Sequence, residues 1–385
     1  MVNRIKINTL LVFIVLLPLL LSFSSDVKKS NYDPTKDTLR CSGEKHLRNI
    51  RQLTFGGNNA EAYWSFDDKQ LVFQSDWKEL HNQGCDQIFT INADGSLYKD
   101  GSKYRLVSTG KGRTTCSYYL KDGRLIFAST HEGGESCPES KMFSGGRYVW
   151  PLFDTYDIYT SSQDGSNTEL LIGGKGYDAE ATSSPDGRYI VFTSTRSGDL
   201  ELWRYEIETK ELLQLTNSIG YDGGAFFSRD SKYIVWRASR PQGEEAETYK
   251  KLLNEGYVEP KELDIYIADI DGNNVKRITN LPGANWAPFF HPSGKKVLFC
   301  SNHHSLNEGG RRFDIFMINV DGTGLVQVTN SGIFDAFPMF SFDGSKLVFC
   351  SNRRADRKQT RETNVFVADW IEEPEEVDLN FKSIR

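Results

Sequence analysis

The chain has 385 residues, of which 38% are hydrophobic and 25% charged. This globular composition excludes a disordered, collagen-like or multi-span membrane protein. With 46 basic and 52 acidic residues the net charge is −6, so the chain lacks the positive surface of a phosphate-backbone binder and we expect no nucleic-acid partner.

The first 24 residues have the pattern of a signal peptide. Arg4 and Lys6 precede an apolar run from Leu10 to Phe23, which is shorter than the roughly 20 residues of a membrane-spanning helix. Small residues at its end predict cleavage after Ser24, with an uncleaved anchor as the alternative. Residues 25–44 are polar and aperiodic and predict a flexible tether. We expect a periplasmic or secreted protein of a bacterial envelope, without a transmembrane domain after cleavage.

A strand–turn–strand segment then occurs six times. Each copy has a tight turn with Asp, Gly or Ser between two strands rich in β-branched and aromatic residues. The residues that precede the six turns are Ser65, Leu120, Ser184, Ser228, His291 and Ser341. Regular internal repeats of this kind indicate the fold class more strongly than any single motif.

A third strand of the pattern polar–aliphatic–aromatic follows each pair, and an Asp-Gly turn usually leads to a fourth. The six triplets begin at Gln87, Asp157, Glu201, Asp264, Asp314 and Asn364. Radially repeated four-stranded units predict an all-β, six-bladed propeller over residues 45–372, followed by an acidic tail at 373–385. The last unit lacks a fourth strand, so we expect Ile50–Thr54 to pair beside Asn364–Phe366 and close the ring.

The segments Asn285–Gly294 and Asp335–Gly344 carry the motif Asn/Asp-x-x-Pro-x-aromatic-x-x-x-Gly. With the strand and the polar–aliphatic–aromatic triplet that follow, they resemble the repeat of TolB-like (WD-repeat-like) propellers over nearly the whole mature chain. The resemblance implies a bacterial envelope or secreted protein used for protein–protein contact. TolB proper carries an α/β domain ahead of its propeller, whereas this sequence has the short tether there.

Chain insertions between the second and third strands predict a binding face. They lie on one side of the ring, where inserted loops of repeat proteins often bind partners. The inserted segments are 76–86, 131–155, 239–263, 302–313 and 352–363. We expect this face to bind a protein, a peptide or a glycan without chemistry, and the propeller to be a monomer.

Equivalent repeat positions indicate which side chains meet at the channel mouth. Six residues before each turn a short polar residue recurs, which favours a structural role. Two residues later, Glu61 and Glu180 carry carboxylates, whereas the equivalent residues of the other four copies do not. We expect both at the mouth of the channel with Arg113. The remaining predicted ligand-binding residues are Asp178, Asp222, Trp150 and Trp286.

An enzyme is the alternative. Carboxylates and imidazoles at the mouth could hold a divalent cation, with His303 and His304 as candidate ligands, and support a metal-assisted lyase or hydrolase acting on an acidic saccharide or a peptide. No sequence signature of a catalytic triad, zinc protease or phosphate loop occurs, so no catalytic residue is assigned and the expected cofactor is none.

Six cysteines are present. Cys300 and Cys350 hold the same strand position in adjacent blades and are expected to be separate thiols. Cys85, Cys116 and Cys137 all map to the insertion face, where an oxidising compartment would allow a bridge. Cys85–Cys137 is the favoured pairing and Cys85–Cys116 the rival.

Overall fold

A computed structural model describes residues 36–354 and 362–373. They form six four-stranded antiparallel sheets, here called blades 1–6 in chain order. The first strands of consecutive blades contact one another, and those of blades 1 and 6 also meet, so the sheets form a ring around a central channel. The predicted six-bladed propeller is confirmed. The predicted signal peptide and all but the first residue of the predicted tail lie outside the described residues.

The chain runs from the first strand of each blade at the channel to the last strand at the rim. The strands of blades 1–3 are Asn59–Trp64, Gln70–Ser75, Gln87–Asn92 and Arg105–Leu106; Thr114–Tyr119, Leu125–Ser129, Asp157–Ser161 and Glu169–Ile172; and Asp178–Ser183, Tyr189–Ser194, Glu201–Glu206 and Leu212–Gln214. Those of blades 4–6 are Asp222–Phe227, Tyr233–Ala238, Asp264–Asp269 and Lys276–Arg277; Asn285–Phe290, Lys296–Ser301, Asp314–Asn319 and Val326–Gln327; and Asp335–Phe340, Lys346–Ser351, Asn364–Trp370 and Leu47–Gln52.

The serine before the turn explains why that turn recurs. In blade 1 the Ser65 hydroxyl donates to the carboxylate of Asp67 and accepts the backbone N–H of Gln70, which opens the second strand. One side chain thus satisfies both ends of the turn. The same pair of bonds forms at Ser184, Ser228 and Ser341.

The aromatic residue of each third-strand triplet packs on an aromatic residue of the second strand. In blade 1, Phe89 lies opposite Phe73 and their ring centroids are 6.0 Å apart. Because facing blades bury both sides of each sheet, these second-strand rings lie in the core. The fully buried set is Phe73, Phe127, Phe192, Trp236, Phe299 and Phe349.

The N-terminal strand closes the ring as predicted. Leu47–Gln52 pairs antiparallel with Asn364–Trp370, and beyond its end the N–H of Leu53 donates to the carbonyl of Val365 at 2.8 Å. The Thr54 hydroxyl then accepts the N–H of Val365 and donates to the side chain of Asn364. The outer edge of Asn364–Trp370 is therefore paired, and blade 6 has four strands like the other blades.

Part of the predicted tether is built into blade 6. Glu44, which is fully buried, forms a two-pronged ion pair with Arg353 at 2.8 and 3.1 Å. Arg353 also contacts both carboxylate oxygens of Asp335 at 3.0 Å. Asp37 accepts the backbone N–H groups of Asn49 and Ile50. Residues 36–44 are thus docked on the propeller, because Asp37 bonds the backbone of the closing strand and Glu44 pairs with Arg353.

The insertions carry secondary structure that the repeat pattern does not predict. The blade 2 insertion forms a hairpin, Phe143–Ser144 with Arg147–Tyr148, and the strand Trp150–Pro151. The blade 4 insertion forms the helix Glu244–Asn254 and the strand Tyr257–Val258, and the blade 5 insertion a 3-10 helix, His303–Glu308. No helix within the described parts of the chain is both long and apolar enough to cross a membrane.

We predict that Arg353→Met destabilises the propeller by about 3–5 kcal/mol, because it leaves two buried carboxylates without their cation. Equilibrium urea unfolding would measure the loss. Arg354→Met is the matched control: its ion pair with Glu362 is solvent-exposed, so the expected change is about 1 kcal/mol or less. Equal losses in the two variants would contradict a closing role for Arg353.

Candidate functional site

A backbone bulge at the same place in all six first strands directs one residue per blade into the channel. The strand register shifts at this point in every blade, and the bulged residue adopts a left-handed conformation with φ between 50° and 59°. Residues other than glycine rarely adopt this conformation, so its presence at the same position of all six blades indicates a constraint from function or packing. The six residues are Glu61, Cys116, Glu180, Gly224, Ala287 and Phe337.

These six residues line a single cavity of about 640 Å³ at the channel mouth. Its floor is an aromatic plug formed two residues further along the same strands. Tyr63 of blade 1 reaches Phe226 of the opposite blade 4, with ring centroids 5.4 Å apart, and also contacts Tyr118 at 5.6 Å. Because rings from opposite blades meet, the channel is blocked here and the cavity is blind.

The blade 2 insertion forms a roof over the cavity, which we define as residues 140–151. Trp150–Pro151 pairs with Tyr257–Val258 of the blade 4 insertion, and Arg147 forms an ion pair with Glu259 at 2.7 Å. Trp150 lies edge-to-face against Trp286, with centroids 5.9 Å apart. The roof thus connects two blades across the channel mouth.

The Cys85–Cys137 disulfide anchors the blade 2 insertion to blade 1. Its sulfur atoms are 2.04 Å apart, and this is the pairing that the sequence favours over Cys85–Cys116. Cys116 stays a free thiol on the cavity wall, and Cys300 and Cys350 are separate buried thiols. The roof is therefore held by a covalent bond on one side and a strand pair on the other.

Glu180 is the most heavily bonded group of the cavity wall. Its carboxylate accepts the hydroxyls of Tyr221 at 2.6 Å and Thr193 at 2.7 Å and the N–H of Gly224 at 2.8 Å. It also forms an ion pair with Arg237, which donates to Tyr221 as well. A Cβ at position 224 would overlap the Arg237 guanidinium, so glycine is required at this bulge.

Burial raises the pKa of Glu61 to about 7. The thiol of Cys116 opposes this increase by donating a hydrogen bond to the carboxylate, and the charge of Glu180 reinforces it. Nearby, burial raises the pKa of Asp86 to about 6 in spite of Arg113, whose guanidinium lies 3.6 Å away. The cavity therefore holds a carboxyl group that exchanges its proton near neutral pH.

The structure places five of the predicted ligand-binding residues together. Glu61, Arg113, Glu180, Trp150 and Trp286 all line the cavity.

Asp178 and Asp222 lie outside the cavity lining. Asp178 forms two 2.8 Å contacts with Arg196, and Asp222 pairs with Arg240 at 2.7 and 2.9 Å. Each aspartate opens a first strand and pairs with an arginine eighteen residues later, at the end of the second strand. Asp335 and Arg353 repeat the spacing, a signal in the sequence for this structural role.

His303 and His304 also lie outside the cavity lining. The ring of His303 shares a hydrogen bond with Ser301 at 2.8 Å, and His304 lies 2.8 Å from a carboxylate oxygen of Asp314. In blade 5, His303 stands at the repeat position that Arg196, Arg240 and Arg353 hold in blades 3, 4 and 6. This repeat position explains why it lies outside the cavity. In residues 36–354 and 362–373, no group of three His, Cys, Asp or Glu residues is arranged to hold a metal ion. Metal binding by this pair stays a prediction.

Arg237 is a cavity residue that the sequence reasoning missed. It lies on the buried second strand of blade 4, where the other blades carry uncharged residues. Those residues are Gln74, Ala128, Thr193, Cys300 and Cys350. The signal in the sequence is that Arg237 is charged, whereas the equivalent residues of the other five blades are not. The same comparison of rows had identified Glu61 and Glu180.

Residues 250–365 match the family model of the TolB beta propeller domain. An uncharacterized protein of Agrobacterium fabrum is 27% identical over 221 residues, which are 53% of this chain and 67% of that protein. A solved structure described as a TolB of Agrobacterium tumefaciens has a TM-score of 0.52 at 16% identity and covers 84% of this chain and 96% of its own. A gluconolactonase of Xanthomonas campestris has a TM-score of 0.52 at 13% identity, with coverages of 84% and 90%. At these identities the two structures share the fold.

We predict that Glu61 contributes a loss of stability as the pH rises from 4.5 to 7. The folded state holds this proton more tightly than the unfolded chain, whose carboxyl has the ordinary pKa of 4.5, so folding is penalised once the pH rises through this window. Glu61→Gln removes the penalty and should gain about 3 kcal/mol at pH 8 relative to pH 4.

Urea unfolding of both proteins across this pH range would test the prediction. The control is Glu79→Gln, a solvent-exposed carboxyl in the blade 1 insertion, which should keep the profile of the unchanged protein. Parallel profiles for the unchanged protein and Glu61→Gln would exclude the tightly held proton.

Proposed function

We propose that this chain, a TolB-like six-bladed β-propeller, is a non-catalytic binding protein that holds part of its ligand in the blind cavity under the roof. The observation that carries the proposal is the convergence of all six bulged residues on one cavity. Left-handed conformations at five residues other than glycine are costly, and a cavity of this volume is in the range of small-ligand sites. A purely structural channel would not need a lining of such varied polarity.

The lining suits a piece of a glycan, peptide or protein that enters beneath the roof. Trp150 and Trp286 offer aromatic surface, while Arg113, Arg237 and Glu61 offer charge and hydrogen bonds. Pockets that combine apolar walls with a few fixed polar groups are typical of specific ligand sites. The roof limits the entrance, so we expect a chain end or a short segment to be bound.

The test of this function is to fill the cavity. Ala287→Phe places a phenylalanine at a bulge where blade 6 already carries Phe337 in the same left-handed conformation, so the fold should tolerate it. Purified protein would be incubated with a fractionated envelope extract, and retained molecules would be measured by native mass spectrometry. We expect the unchanged protein to retain a ligand and Ala287→Phe to lose it.

The control is Leu97→Phe, which adds the same ring at a site that is 60% exposed and distant from the cavity lining. It should retain the ligand. If Ala287→Phe retains the same molecule as the control, the cavity is not the binding site.

An enzyme is the second candidate function, and the specific observation in its favour is Glu61. A buried carboxyl with a pKa of about 7 is matched to proton transfer at neutral pH. If a retained ligand is converted, Glu61→Gln should abolish turnover and weaken binding much less, because glutamine keeps the size and a hydrogen-bonding group at this position. Retained turnover in that variant would assign the chemistry elsewhere. The metal-assisted lyase or hydrolase indicated as the alternative by the sequence additionally requires a bound divalent cation.

Export to a bacterial envelope is part of the proposal. It is supported by the leader pattern of residues 1–24 and by the Cys85–Cys137 disulfide, a bond favoured in oxidising compartments. We predict that fractionated cells contain the protein in the periplasm or medium, with a mature N-terminus at Ser25. A cytoplasmic protein with free thiols at both cysteines would contradict this.

A further inference from the structure

Three polar groups on the cavity wall are buried without a hydrogen-bond partner among the described residues. They are the Nε atoms of Arg113 and Arg237 and the hydroxyl of Ser117. Arg237 is only 8% exposed, so bulk water does not replace the missing partner, and Ser117 is 1% exposed. Buried polar groups in folded proteins nearly always have partners. These three groups on the wall are therefore available to bind a ligand that enters the cavity.

The charges of the wall indicate that part of this ligand is anionic. The carboxylate of Glu180 is already saturated by its four partners. Arg113 lies 3.6 Å from Asp86, which is too far for a hydrogen bond, and Lys141 adds a cation from the roof. The lining also holds the carboxyl groups of Glu61 and Asp86, so the indication of an anion comes from the free donors, which belong mainly to Arg113, Arg237 and Lys141, and not from the net charge of the wall. A planar guanidinium matches a carboxylate in geometry and charge.

The remaining lining indicates hydroxyl groups on the same ligand. Ser117 needs a partner that can donate or accept, and the amide of Gln74 and the hydroxyl of Thr115 lie on the same wall. Trp150 and Trp286 add flat apolar surface that can cover the face of a ring. A molecule with a carboxylate, several hydroxyls and a ring matches all three kinds of lining group.

We propose that the cavity binds a sugar acid, with its carboxylate on Arg113 and Arg237 and a ring hydroxyl on Ser117. This inference rests on the proposed function and adds the chemical class of the ligand. An acidic peptide such as triglutamate is less suited, because it has neither the hydroxyl group that matches Ser117 nor the ring that matches Trp150 and Trp286.

Isothermal titration of the mature protein with three probes tests the class of ligand. The probes are digalacturonate, its dimethyl ester, which keeps the hydroxyls and removes the charge, and triglutamate. We expect digalacturonate to bind about tenfold more tightly than the ester, because the ester loses the charge-assisted hydrogen bonds. Triglutamate should bind more weakly than digalacturonate.

Variants assign the contacts. Arg113→Met is combined with Asp86→Asn so that no buried carboxylate loses its cation, and should weaken digalacturonate binding about tenfold. Ser117→Ala removes one neutral contact and should weaken it about threefold. Arg124→Met, at an arginine whose side chain is 47% exposed in a distant turn, is the control and should bind like the unchanged protein. Unfolding curves of all variants would confirm that each is folded.

Other outcomes overturn the sugar-acid proposal in distinguishable ways. Equal binding of the ester would overturn the acidic class, and tighter binding of triglutamate would overturn the saccharide class; the cavity would remain a ligand site in both cases. Unchanged binding in Arg113→Met/Asp86→Asn and Ser117→Ala would overturn the assignment of the contacts. Binding of none of the probes would overturn the sugar-acid class, while the cavity-filling experiment with Ala287→Phe, which uses no chosen probe, would still decide the proposed function.

Discussion

The pairing of Leu47–Gln52 with Asn364–Trp370 is the contact on which the ring depends. Each blade buries its faces only against its two neighbours, so an open ring would expose two sheets and leave the channel without a defined width. Backbone pairing alone does not secure this contact. The buried network of Glu44, Arg353 and Asp335 ties the chain before the closing strand to the first and second strands of blade 6, and its charges are stable there only while all three partners remain.

Within the closed ring, one backbone device positions the whole candidate site. A bulge in each first strand turns one residue into the channel in a left-handed conformation. The repetition is structural, but the residues placed there differ from blade to blade, from glycine to glutamate to phenylalanine. The variation makes one side of the cavity polar and charged and the other apolar. Gly224 shows the interdependence, because only the absence of its side chain allows Arg237 to reach Glu180.

The insertions convert this ring of side chains into a covered site. The roof from blade 2 reaches blade 4 and is bonded covalently to blade 1, so the cavity has walls from all six blades and a cover from one of them. Burial in this cavity raises the pKa of Glu61, and the Nε atoms of Arg113 and Arg237 are buried on its wall.

The sequence by itself determined the repeat, the strands of the repeat, the closing segment and the row of equivalent positions that the structure shows to be bulged. These depend on local turn chemistry and on a period that one chain displays six times, and the same row comparison identified Glu61 and Glu180. Only the tertiary structure decided the course of the insertions and the partners of the buried charges. The sequence predicts ligand binding for Asp178 and Asp222 as it does for Glu180, yet each aspartate is paired with an arginine outside the cavity lining. Periodicity specifies where a residue stands in its own blade, whereas pairing depends on contacts between segments far apart in the chain.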